Sequence, residues 1–129
     1  MSDASRADAP FPDILIVEDD PDNCETLGEI LEIEGYRVVK AIHGQEALDL
    51  LIGGFSPCLI LLDLMMPVMD GWEFRRQQKA NPALATIPVI VMSGDGRIEQ
   101  KSQAVEAEGF VIKPIVIEAL LEEIRRCCK

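Results

Sequence analysis

The sequence has no apolar run approaching the length of a membrane span, which sets aside a helical membrane protein. It is also poor in basic residues. Its 12 Lys and Arg stand against 23 Asp and Glu, a net charge of −11. That leaves no clustered cationic surface of the kind a nucleic acid needs. Cysteine is scarce and unpatterned: Cys24, Cys58, Cys127 and Cys128 fit no zinc-binding spacing. Cys24 and Cys58 fall on apolar faces and are expected as reduced core residues. Cys127 and Cys128 are expected at the frayed end of a last helix, the alternative being a redox-active pair. The opening "MSDASRADAPFP" lacks the charged-then-apolar pattern of a signal peptide. The expectation is a loose tail over residues 1–12 and a cytoplasmic setting. No internal repeat, linker or further low-complexity segment is visible.

What is present is enough for one domain with a real core. The chain has 129 residues, 48% of them hydrophobic. Apolar runs and helical stretches alternate along it. "DILIVEDD", "YRVVKA", "CLILLD", "IPVIVMS" and "GFVIK" read as five strands. Between them, "DPDNCETLGEILEIEG" opens on Asp20 as a cap with Pro21 at the first helical position, and Gly35 ends it. "GQEALDLLIGG" is a short helix closed by a glycine pair. "DGWEFRRQQKA" starts at Asp70 with Glu73 in capping-box position. "GRIEQKSQAVEAE" reads as a polar helix, and "IVIEALLEEIRRC" carries an apolar stripe. Five βα units imply an α/β fold, a doubly wound parallel sheet covered by helices on both faces.

Sites in such sheets form at the carboxyl ends of the strands. Those ends supply Glu18, Asp19 and Asp20 after strand one, Asp63 after strand three, Ser93 after strand four and Lys113 after strand five. A lone acid at a strand end is ordinarily a solvated turn residue, and Asp20 reads as a helix cap. Acids, a hydroxyl and an ammonium at four matching ends point instead to a shared site. Crowded carboxylates repel unless a cation joins them. Hard oxygen ligands suit Mg²⁺, which favours sites that also hold phosphate. A carboxylate can act as a nucleophile and form an aspartyl-phosphate, with a metal and a lysine neutralising the phosphoryl oxygens. His43 reads as a surface residue and Trp72 as packed against the domain.

"ILIVEDDPDN", "LILLDLMMPVMDGWE", "IPVIVMSG" and "GFVIKP" together resemble the receiver domain of two-component response regulators. The resemblance runs from about Asp13 to the end and implies a flavodoxin-like sheet in the order 2-1-3-4-5 with five helices. It implies that residues 13–129 form the receiver and that Asp63 is the phospho-acceptor. Asp19, Asp63 and the backbone carbonyl of Met65 would hold Mg²⁺, with Glu18 acting through water; Mn²⁺ can substitute. Ser93 and Lys113 would contact the phosphoryl group, Phe110 would be the switch aromatic, and Pro114 would follow a cis peptide bond. Met65 and Asp95 border the path of the attacking water and would modulate dephosphorylation. The implied donor is a histidine kinase or histidine phosphotransfer protein, and the implied output is a downstream protein, not a nucleic acid or membrane. The protein would be a signalling switch and not an enzyme.

Two departures stand out. The segment between Ser93 and Lys113 is short, with "EAEG" before strand five, so the fourth helix or its loop is trimmed. No effector domain follows the last helix, which reads as a stand-alone receiver. The "KPI" ending also suits a receiver cut from a hybrid histidine kinase, or a phosphorelay shuttle. A metal-dependent phosphohydrolase with an Asp nucleophile would need a second Asp where Met65 stands. A flavin- or nucleotide-binding domain would need a glycine-rich loop after strand one, where "VEDDPDN" has none.

Overall fold

The computed structural model describes residues 13–66, 68–94 and 97–128. The expected tail over 1–12 and the proposed modulator Asp95 lie outside the described residues. The elements alternate as β1 (Asp13–Val17), α1 (Pro21–Ile33), β2 (Arg37–Ala41), α2 (Gly44–Ile52), β3 (Leu59–Asp63), α3 (Gly71–Ala80), β4 (Val89–Ser93), α4 (Ile98–Ala104), β5 (Gly109–Ile112) and α5 (Ile117–Cys127). The five strands are all parallel and lie in the order β2-β1-β3-β4-β5. The expected flavodoxin-like fold is therefore the observed one.

The period of two along each strand divides the core. Leu15, Val17, Ile60, Leu62, Val89 and Val91 face α2, α3 and α4, packing with Leu48, Leu51, Phe74 and Ile98. Ile14, Ile16, Leu59, Leu61, Ile90 and Met92 face α1 and α5, packing with Leu27, Leu31, Leu120 and Ile124. β1, β3 and β4 sit between two helical layers, which is why they read as unbroken apolar runs. Each fully buried Leu or Ile contributes roughly 1.5–3 kcal/mol of transfer free energy.

Three helices end in one motif, written with different residues. In α1 the Tyr36 N–H donates to Leu31 C=O and the Gly35 N–H to Glu32 C=O, with Gly35 at φ +100°. In α2 Phe55 and Gly54 repeat the pattern onto Leu50 and Leu51, with Gly54 at φ +113°. These are Schellman ends, and the left-handed position favours glycine. In α4 Ala107 donates to Ser102 and Glu106 to Gln103, but the left-handed residue is Glu106, at φ +57°. With no glycine to mark it, the end of α4 falls earlier than the pattern "GRIEQKSQAVEAE" suggests: the helix covers only Ile98–Ala104. The trimming expected between Ser93 and Lys113 thus falls on α4.

The helix starts follow local chemistry. The Asp20 side chain accepts from the Asp22 and Asn23 amides, and the Asp70 side chain from Glu73 N–H at 2.9 Å. The Glu73 carboxylate turns forward to Arg76 and Gln77 rather than back to the cap. His43, expected only as a surface residue, caps α2 by accepting from Glu46 N–H at Nδ1. Trp72 packs half-buried against the core, with Lys101 Nζ 5.7 Å from its ring centre.

Cys58 is corrected. It is not a reduced core thiol but is disulfide-bonded to Cys128, just beyond α5. The two residues are 70 apart in sequence, so their meeting depends on how α5 returns to the sheet.

Candidate functional site

Strand periodicity aims the site. Glu18 continues the parity of Ile14 and Ile16, and Asp63 that of Leu59 and Leu61; both therefore turn toward the α1/α5 face. Lys113 has the parity of Val111 and turns the same way. The Glu18 N–H donates to Ala41 C=O and the Lys113 N–H to Ser93 C=O, so the ladder still holds the backbone where these side chains leave it.

The carboxylates of Glu18, Asp19 and Asp63 have oxygens within 4.8 Å of one another. Glu18 is 1% exposed and Asp63 5%, whereas Asp19 is exposed. Lys113 Nζ donates to Glu18 Oε1 at 2.9 Å and to Asp63 Oδ2 at 3.2 Å. The Met65 N–H holds Asp63 Oδ1 at 3.0 Å, and the Asp20 N–H reaches Glu18 Oε2 at 3.2 Å. Ser93 is buried at the end of β4, and the Lys113–Pro114 bond is cis, as the resemblance implied.

The loop behind Asp63 explains the Asp-Gly that follows it. A Cβ on Gly71 would lie 2.8 Å from Leu64 Cα and 3.2 Å from Asp63 C=O. Only glycine lets α3 start this close to the end of β3. In the same loop Val68 holds φ +71° and is 80% exposed, and Met65 is 62% exposed.

Charge in this pocket is unbalanced. Among the described residues three carboxylates face one lysine, and burial pushes the Glu18 carboxyl up from 4.5 to about 7; the neighbouring Asp63 adds to the rise and Lys113 opposes it. Burial alone would lower the Lys113 ammonium, but Glu18 and Asp63 outweigh it and hold it above its ordinary value. A cation among these oxygens would relieve the repulsion. The donor set is all oxygen and largely carboxylate, which fits Mg²⁺ and not a softer metal.

Sequence reasoning missed two features. One is the Met65 amide, which orients Asp63. The other is a cleft of about 510 Å³ beside Glu18 and Lys113, lined also by Asn23, Thr26, Pro114 and Ile115. Phe110 lies away from the acids, half-buried against the α2–α4 side of the core.

An open parallel sheet whose rim gathers three acids and a lysine beside the point where strand order reverses defines a class: flavodoxin-like domains built on an acidic pocket. Comparison with known proteins identifies the particular family within that class. The chain belongs to the response regulator receiver domain family, which it matches over residues 14–125. It is 34% identical over 117 residues to the DNA-binding dual master transcriptional regulator RpaA of Synechocystis, covering 89% of this chain and 48% of that protein. It is 32% identical over 117 residues to the polar-differentiation response regulator DivK of Brucella anthropi, covering 87% and 92%. The signal receiver domain of a Syntrophus aciditrophicus signal transduction histidine kinase superposes with a TM-score of 0.82 at 37% identity, covering 91% and 89%. The chain spans about half the length of RpaA. The protein is thus a receiver domain of two-component signalling.

Proposed function

We propose that Asp63 is the phospho-acceptor of this receiver, taking a phosphoryl group from a phosphohistidine of a histidine kinase or phosphotransfer protein in the cytoplasm. The observation that carries the reading is the buried Asp63 carboxylate, held by the Met65 amide and Lys113 with Glu18 and Asp19 within 4.8 Å. The Asp63 carboxylate attacks phosphorus, the phosphorus–nitrogen bond breaks, and the donor imidazole leaves. Glu18, Asp19, Asp63 and the Met65 carbonyl would hold Mg²⁺, which supplies charge neutralisation at the phosphoryl oxygens. Lys113 neutralises a further oxygen, and the Ser93 hydroxyl donates to another. Drawing Ser93 toward the phosphate frees space for Phe110 to turn inward, which biases the face of α4, β5 and α5 toward its partner-binding state. Met65, exposed two residues after Asp63, folds over the phosphoryl group and slows its hydrolysis. The chain is in this reading a signalling switch that reacts on itself.

Phosphotransfer profiling tests the proposal: one cognate donor should label the protein rapidly with Mg²⁺ present, and the label should map to Asp63. Label on another residue would reject it. A second reading, a receiver serving within a hybrid histidine kinase, is favoured by the 37% identity to the Syntrophus domain. Phosphotransfer from a kinase core joined to this domain, faster than from separate kinases, would support it.

A further inference from the structure

We propose that Cys58 and Cys128 form a reversible oxidation site, a thiol–disulfide pair that ties the end of α5 to the sheet. The two Cα atoms lie 5.4 Å apart, within the span a disulfide requires. Both residues are half-buried, at the edge of the apolar layer between the sheet and α1/α5, rather than sealed in its interior. Cys58 is anchored where it stands: its N–H donates to Asp13 C=O at 2.8 Å, at the start of β1. Cys128 is anchored through its own N–H on Ile124 C=O. The backbone therefore presents the pair to each other before any bond forms. Cys24, by contrast, is buried, and burial raises its thiol above the ordinary value, which keeps it unreactive.

The chemistry balances with a peroxide as oxidant. One thiolate attacks the peroxide oxygen–oxygen bond and becomes a sulfenic acid, releasing water. The second thiolate attacks that sulfur and expels the hydroxyl as a second water. The two sulfurs give up two electrons in total, and the peroxide takes them. A dithiol reductant restores both thiols by exchange. In a reducing compartment bridges of this kind are characteristically transient and redox-sensing. The adjacent Cys127 is not the partner, because a bridge between neighbouring residues closes a small strained ring.

The location sets the consequence. The bridge sits at the amino-terminal end of β3, while Asp63 is at its carboxyl end. Oxidation acts on the end of α5 and on stability, independently of phosphoryl chemistry. The test is hydrogen peroxide treatment of the full chain, followed by thiol alkylation under denaturing conditions, peptide mapping and a thermal melt. Wild type should lose two of its four alkylatable thiols and yield a peptide pair joining Cys58 to Cys128. Its melting midpoint should rise by roughly 10 °C over the reduced form, because the bridge closes a long loop. The Cys127→Ser variant should keep both effects, and Cys58→Ser should lose both. A dithiol should reverse them in wild type. A bridge mapping to Cys127, two thiols still lost in Cys58→Ser, or oxidation straight to sulfinic acid without a bridge would overturn the proposal. Because the readout is thiol chemistry, its failure is separate from any failure of Asp63 labelling.

Discussion

At the carboxyl end of the sheet, among the described residues, Glu18 and Asp63 are buried beside one lysine, and an exposed third acid adds to the imbalance. Between α3 and the end of α4, Arg75 is buried just as deeply, yet each of its guanidinium nitrogens is answered. Its Nε donates to Val105 C=O at 3.0 Å, one terminal nitrogen to Gln78 Oε1 at 2.8 Å, and the other to Glu106 C=O at 2.6 Å with Glu108 3.6 Å away. Gln78 in turn donates to Leu84 and Ile87 carbonyls. Burial lowers the Arg75 guanidinium, and Glu108 and Glu106 oppose that. The first region withholds compensation for its charges and is poised for a ligand. The second completes it internally and holds the short α4 by its carbonyl end. Buried charge alone does not mark function; buried charge of one sign with too little opposite charge beside it points to a site for a cation.

The largest effect expected from breaking this contrast is at Asp63. Asp63→Asn should abolish labelling by acetyl phosphate in mass spectrometry, because an amide is a poor nucleophile of the same shape. Undiminished phosphorylated product in the variant would refute the assignment.

Arg75→Ala should do the reverse, keeping phosphorylation and losing stability. It strands the Gln78 side chain and the Val105 and Glu106 carbonyls, at a cost of about 3 kcal/mol in urea unfolding. A variant as stable as wild type would mean that the network is not what secures α4.

The pH dependence separates the regions next. Glu18 titrates at about 7 in the folded chain against 4.5 unfolded, so the folded state holds its proton more tightly. Cation-free stability from this group is full below pH 4.5 and falls as pH rises through 7, by up to about 3 kcal/mol. Thermal melts across that window should show the decline in wild type and flatten it in Glu18→Gln. Added Mg²⁺ should stabilise wild type most at the upper end of the window, where the carboxylates are ionised.

Met65→Asn should speed decay of the phosphorylated protein about tenfold, which is ~1.4 kcal/mol off the barrier. An unchanged or slower decay would show that Met65 does not shield the phosphate. The smallest effect concerns the left-handed residue in each region. Val68→Gly should stabilise the fold by about 1 kcal/mol, since a β-branched residue is strained there and its exposed side chain buries little. Glu106→Gly should gain less, because Lys79 pairs with the Glu106 carboxylate and that contact would be lost.

Much of this was legible along the chain. Apolar runs ending in acids marked β1 and β3, and the caps Asp20 and Asp70 and the stops at Gly35 and Gly54 are local chemistry that any few residues display. The end of α4 was not legible, because Glu106 occupies a position where glycine would have signalled it. Nor was the role of His43 as a cap, since histidine seldom announces one.

The sequence by itself determined the βα alternation, the strand parity and hence the convergence of Glu18, Asp63 and Lys113 on one face, because a period of two acts within each strand. Only the tertiary structure decided that Lys113 would join Glu18 and Asp63, that Arg75 would hold the Val105 carbonyl, and that Cys58 would meet Cys128. Those partners are 95 and 50, 30, and 70 residues apart. No local pattern encodes such meetings; they exist only once the helices have closed over both faces of the sheet.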